Sequence, residues 1–165
     1  MKKIKKILAA CDLSAYTGDV LDTAIGLADS LDAGLLVINV INQRDMDSMQ
    51  KALEKIAFGY ENVPISLAQH RADMESERLQ SLREAIARAG GADRECDYLI
   101  KIGDPFQVIV EVIDQEQADL VVIGTKGRSN LSDVLQGSIA ERLFRRCPVP
   151  LLSVRISGRG GHSTD

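Results

Sequence analysis

Asp119-Leu120-Val121-Val122-Ile123-Gly124-Thr125-Lys126-Gly127 decides how this chain folds. Four aliphatic residues in a row, three of them β-branched, suit a strand buried on both faces. Glycines at 124 and 127 then let the backbone turn sharply and approach a ligand. Ahead of the strand, Gly103-Asp104-Pro105 opens a helix, with Asp104 as N-cap, Pro105 in first position and Gln107 completing an Asp-x-x-Gln capping box. That helix runs to about Gln117 and buries Val108, Ile109, Val112 and Ile113. Beyond the loop another helix runs to about Arg146, Cys147-Pro148 stops it, and Val149–Arg155 reads as a last strand.

The same alternation holds toward the N-terminus. Ile4–Cys11 is an aliphatic strand. Val20, Ala24, Leu27, Ala28 and Leu31 mark a helix over 15–31 with Ser14 as N-cap and Gly34 as its stop. Leu35–Ile41 is a second strand, and Glu95–Ile102 a third, whose partial alternation suits a sheet edge. Between them Asp45–Phe58 reads as a helix, Val63-Pro64 as a break, and a longer helix runs to about Ala89, ended by Gly90-Gly91. Charges of alternating sign along that helix indicate a solvated face. Five strands alternating with helices predict an α/β fold, one doubly wound parallel sheet with Leu120–Ile123 at its centre and helices on both faces. The domain is expected to span 1–156, with a Gly- and Ser-rich tail at 157–165.

Composition agrees. The chain has 165 residues, 45% hydrophobic and 27% charged, which fits one globular domain and excludes a disordered chain. Twenty Lys+Arg against 24 Asp+Glu leave a net charge of −4, unsuited to coating nucleic acid or an anionic membrane. No apolar run approaches the ~20 residues of a membrane span. The basic start followed by Ile7–Ala10 reads as a first strand, its apolar stretch being shorter than the roughly 7–15 residues of a secretion signal. Three scattered cysteines without a CxxC argue against a disulfide scaffold or a zinc site. Cytoplasmic residence is expected. Cys11 reads as a small buried hydrophobe, and Arg142, Arg145 and Arg146 as charges complementing the end of their helix.

The chemistry concentrates after the fourth strand, in Gly124-Thr-Lys-Gly127-Arg-Ser129-Asn-Leu-Ser-Asp-Val-Leu-Gln-Gly137-Ser138-Ile139-Ala-Glu141. Ser138-x-x-Glu141 is a capping-box pattern that marks a helix start. A helix N-terminus offers unpaired N–H groups and positive potential, which suits phosphate. Thr125, Lys126, Arg128, Ser129 and Ser132 add donors and charge. Neither GxxxxGK[ST] nor GxGxxG is present. On physics alone a tight turn before an ordinary capped helix explains the segment equally well.

The spacing Gly124-x2-Gly127-x9-Gly137-Ser138 resembles the G-2x-G-9x-G-[S/T] signature of the ATP-binding branch of the universal stress protein family. Ile7–Ser14, Asp119–Gly124 and Cys147–Leu152 resemble its first, fourth and last strands, so the likeness covers about 1–156 and is loosest over 43–92. It implies the strand order 3-2-1-4-5, with a ligand crevice where the order reverses between strands 1 and 4. It further implies that Asp12, beside Ala10, accepts hydrogen bonds from ribose hydroxyls. Backbone groups at Val40 would meet adenine. Ile123 and Gly124 would lead into the cradle where Gly127, Gly137, Ser138 and Ile139 hold phosphates, with Ser129 assisting. Lys126 and Asn130 depart from the family's frequent His and Gly.

The expected ligand is accordingly ATP (or AMP or ADP), with Mg²⁺ as a companion held chiefly by phosphate oxygens and water. The expected protein is a dimeric stress regulator or sensor whose Val149–Val154 strand pairs with that of its mate. A slow Mg-dependent ATPase or phosphotransferase is one alternative, though no Walker-type lysine or loop histidine supports it. A nucleotide-free dimeric interaction module is the other. For Asp12 a purely local role, capping the first helix, also stands open.

Overall fold

Ile7, Leu8 and Ala9 are 0% exposed, so the first strand has apolar neighbours on every side. In the computed structural model, which describes residues 3–59, 67–125 and 138–155, this strand is β1 (Lys6–Ala10). It lies between β2 (Gly34–Asn42) and β4 (Leu120–Gly124), while β3 (Asp97–Gly103) and β5 (Leu151–Val154) form the edges. All four pairings are parallel, in the order 3-2-1-4-5. The expected α/β sheet is therefore present, with one correction: the centre is β1, not β4, which sits one place outward. β4 (Leu-Val-Val-Ile-Gly) is the more apolar of the two and β1 (Lys-Ile-Leu-Ala-Ala) the less, but position in the sheet is set by crossover connections that local hydrophobicity does not record.

The helices are α1 (Thr17–Leu31), α2 (Gln43–Gly59), α3 (Leu67–Ile86), α4 (Pro105–Gln115) and α5 (Ser138–Arg146). The pleat divides the strands between two cores. Ile7, Ala9, Leu35, Val37, Leu120 and Val122 pack with α1 and α3. Leu8, Leu36, Ile38, Val121 and Ile123 pack with α4 and α5 through Ile109, Val112, Ile113 and Leu143. Leu8 is in register with Leu36 on one side and Val121 on the other, a continuous aliphatic row. Truncating such a fully buried leucine to alanine costs about 2–5 kcal/mol.

Local signals were met unevenly. Asp104 caps α4 as its sequence requires, accepting the Gln107 N–H at 3.0 Å, with Pro105 first in the helix. Gly34 does not stop α1 but opens β2. The stop is Asp32 at φ 52°, a left-handed conformation that a short polar residue tolerates. Ser14 is not the N-cap of α1 either. The N-cap is Tyr16, and the Ser14 hydroxyl accepts the Tyr16 N–H at 3.3 Å in a turn before the helix. The break at Val63-Pro64 and the tail at 157–165 lie outside the described residues.

After α3 the chain makes one π-helical turn, Ala87–Gly91, in which Gly90 adopts φ 79°. Gly91 is buried there, and a Cβ on it would lie 2.9 Å from both Ile25 Cδ1 and Ile86 Cγ2 and 3.3 Å from the Ile86 carbonyl oxygen. Close approach of this turn to α1 is possible only without a side chain. Gly91→Ala is expected to lower unfolding free energy by about 1–3 kcal/mol, seen as a lower urea midpoint at unchanged slope.

Candidate functional site

Parallel strands flanking a reversal of order send their connections to opposite faces, and the carboxyl ends of β1 and β4 part there. A cleft of about 410 Å³ occupies that place. Ala10, Cys11 and Asp12 come from the end of β1, Ile38 and Val40 from β2, and Ile123, Gly124 and Thr125 from β4. One wall is α1 with Tyr16, Thr17 and Val20. The other is α4 and α5 with Pro105, Ile109, Ile139, Ala140 and Leu143. Ala10 is in register between Ile38 and Ile123, so a small side chain sits on the floor between two large ones.

Of the residues singled out in the sequence, the structure brings Ala10, Asp12, Val40, Ile123, Gly124 and Ile139 to this one cleft. Ser138 is the first residue of α5. Gly127, Ser129 and Gly137 lie outside the described residues, as do Lys126 and Asn130. Thr125, read in the sequence as a donor beside the glycines, lines the cleft too; Tyr16, Thr17, Asn42 and Asp45 also line it and were missed. Their types are unremarkable in sequence, and only the convergence of three loops makes them neighbours.

Asp12 leaves β1 in a strained loop. Its Oδ1 accepts the Ser14 N–H at 3.0 Å, and Leu13 between them has φ 59°. A leucine in that conformation costs about 1–2 kcal/mol, here offset because its side chain packs against the α1–α3 core. The turn precedes α1 instead of capping it, so helix capping does not account for Asp12. Behind it Asn39, 1% exposed, donates from Nδ2 to the Cys11 carbonyl at 2.8 Å. Cys11 N–H in turn donates to the Ile38 carbonyl at 2.9 Å. The backbone that carries Asp12 is thus fixed from both sides. An asparagine within the aliphatic run Leu35–Ile41 was the available signal for this role. The Thr17 hydroxyl and Asn39 Oδ1 have no hydrogen-bond partner among the described residues.

The Cys11 thiol is pushed up by burial, with the Asp12 carboxylate adding to the effect, so it stays protonated at neutral pH. It is a buried hydrophobe, as expected. Among the described residues no group of three His, Cys, Asp or Glu side chains is placed to hold a metal ion, and no helix is long and apolar enough to cross a membrane.

The arginines of α5 divide. Arg145 pairs with Glu141 at 2.7 Å one turn earlier, and Arg145 and Arg146 occupy the last turn as expected. Arg142 corrects the expectation. It reaches across to α4, donating to both Asp104 oxygens at 3.1 and 3.3 Å, with its guanidinium carbon 4.2 Å from the Phe106 ring centroid. The 38-residue separation left no trace in sequence spacing.

A five-stranded parallel sheet with a cleft at its switch point defines the doubly wound α/β class of protein, in which that place is the usual one for a ligand. Within that class the profile of the universal stress protein family matches residues 3–155, and the chain belongs to that family. Universal stress protein Sll1388 of Synechocystis is 25% identical over 152 residues, covering 91% of this chain and 97% of its own. The fold is also similar to that of hypothetical protein MJ0577, with TM-score 0.71, 20% identity, and 95% and 99% of the two chains covered. A universal stress protein in complex with cAMP gives TM-score 0.63 at 22% identity, covering 94% and 100%. The family member At3g01520 of Arabidopsis thaliana, with AMP bound, gives 0.58 at 15%, covering 96% and 97%.

The Gln107 N–H, and after it the Arg142 guanidinium, hold the Asp104 carboxyl below its ordinary value. A lowered folded value means that its contribution to stability is fully present above about pH 3.9, the ordinary aspartate value, and is lost as pH falls through the folded value. Asp104→Asn keeps a good N-cap without the charge. Its urea midpoint should therefore fall less than wild type's between about pH 5 and pH 2, measured by circular dichroism in parallel titrations.

Proposed function

We propose that this universal stress protein binds an adenine nucleotide, ATP or its di- or monophosphate, in the β1–β4 cleft and acts as a dimeric sensor or regulator. The observation that carries the reading is one convergence. The cleft holds Asp12 at the end of β1, and β4 leads from that cleft through Gly124-x2-Gly127-x9-Gly137-Ser138 into α5, whose Ile139 lines it again. A carboxylate accepts hydrogen bonds from a ribose diol. A glycine-spaced turn entering a helix presents N–H groups to phosphate. Val40 at the end of β2 supplies backbone groups for the base. Gly127, Gly137, Ser138 and Ile139 hold the phosphates with Ser129 beside them, and Mg²⁺ arrives on phosphate oxygens. The similar folds that carry cAMP and AMP support an adenine nucleotide as the ligand class.

The test is direct. Freshly purified protein is denatured, and the released small molecules are identified by mass. Thermal unfolding is then followed with ATP, ADP and AMP. At about 100-fold its Kd a ligand adds ~2.7 kcal/mol, a shift of about 5–11 °C for a chain of this size. Asp12→Asn retains the turn to Ser14 but loses the charge that strengthens bonds to the ribose, and should weaken binding by about tenfold. An empty wild-type protein with no shift would remove the nucleotide reading.

The dimer is proposed through β5. This edge strand turns the Pro150 and Val154 carbonyls to β4, which they bind through the N–H groups of Val121 and Thr125 at 3.0 Å. By alternation the Ser153 N–H points away from the sheet, toward a mate. Phe144, 72% exposed on the adjoining α5, leaves further apolar surface to cover. Ser153→Pro removes one outward donor while sparing the bonds to β4. Sedimentation should show a dimer of the 18.0 kDa chain converted to monomer by that substitution.

A further inference from the structure

We infer that Arg142 is a positioning residue for phosphate, holding the start of α5 at the cleft by clamping it to the N-terminus of α4; this rests on the nucleotide reading above. The two helices that form this wall are joined there by one connected set of groups. Asp104 Oδ1 accepts from the Gln107 N–H at 3.0 Å and from Arg142 Nη1 at 3.3 Å, and Oδ2 accepts from the same nitrogen at 3.1 Å. The guanidinium lies over Phe106, its carbon 4.2 Å from the ring centroid.

The clamp sits where it controls the site. Pro105, next to the carboxylate, lines the cleft, as do Ile139, Ala140 and Leu143, which flank Arg142 on α5. α5 is nine residues long; Leu143 is fully buried, and Ile139 and Ala140 are partly buried against the same core. Apolar contacts hold so short a helix against the core without fixing its direction closely, and a polar attachment beside Leu143 on a different face sets it. Phosphate bound by N–H groups at its first turn requires those donors at about 2.7–3.2 Å, so small rotations of α5 translate into lost hydrogen bonds. Adenosine, which has no phosphate, makes no such demand. The consequence is selective: loosening the clamp weakens nucleotides and spares the nucleoside.

The experiment uses the full-length protein and measures adenosine, AMP and ATP binding by calorimetry for wild type, Arg142→Met and Asp104→Asn. Arg142→Met keeps an apolar stem over Phe106 and removes the ion pair. Asp104→Asn keeps the cap and removes the same pair from the other side. Both should weaken AMP and ATP by about three- to tenfold, the size expected for losing a half-exposed ion pair and, in Arg142→Met, cation–π contact, with adenosine affinity unchanged. Hydrogen exchange of the α5 amides should quicken in both variants while α1 remains as in wild type. Equal loss for all three ligands would make the pair merely structural and overturn the positioning role, as would unchanged AMP and ATP affinity. Wild type that binds none of the three overturns the nucleotide reading itself, and the positioning role with it.

Discussion

Burial of β1 from both sides governs the rest of this structure. A strand with Ile7, Leu8 and Ala9 wholly removed from solvent needs a hydrogen-bonded neighbour on each edge and a helical layer on each face. Parallel pairing with β2 and β4 meets the first requirement, and right-handed crossovers meet the second by sending α1 to one face and α4 to the other. Once those crossovers depart in opposite directions, the carboxyl ends of β1 and β4 cannot be closed by a connection between them. The cleft is a consequence of packing the most buried strand.

That geometry concentrates strain and polarity at the end of β1. The chain must leave a buried strand, turn within six residues and enter α1 at Thr17. It does so with Leu13 in a left-handed conformation, with Asp12 and Ser14 supplying side-chain acceptors to the turn, and with Asn39 buried in β2 to bind the Cys11 carbonyl. A buried amide whose oxygen finds no partner among the described residues is costly in an aliphatic core. Asn39 offsets part of that cost by fixing the backbone on which the cleft carboxylate stands.

What could be read in the sequence follows from the range of the forces involved. The alternation of aliphatic runs with helical stripes yields the layers, because each strand's two faces are specified by its own residues. The Asp104 cap is legible for the same reason, three residues sufficing to define it. Helix α1 was misread at both ends, since Ser14 and Gly34 are good signals for caps that the loop geometry places elsewhere: Ser14 serves the turn, and Asp32 takes the left-handed position. Hydrophobicity alone put β4 at the centre because it is the more apolar run, whereas the order 3-2-1-4-5 implied by the family likeness was correct. The Arg142–Asp104–Phe106 set was invisible, as no periodicity links residues brought together by two crossovers. The six cleft residues named from family likeness converged without any of them being distinctive in isolation.

Charge completes the account of the cleft. Its described lining includes two carboxylates, Asp12 beyond β1 and Asp45 in the first turn of α2, and no lysine or arginine. The cations Lys126 and Arg128 follow β4 in the chain. An anionic group is repelled from the β1–β2 side, where hydroxyl and amine donors are favoured. A ligand that is anionic at one end and rich in donors at the other therefore has one favourable orientation. Under the nucleotide reading proposed above, the clamp on α5 matters more than its exposed position suggests, because it bears on the helix start to which that reading assigns the phosphate.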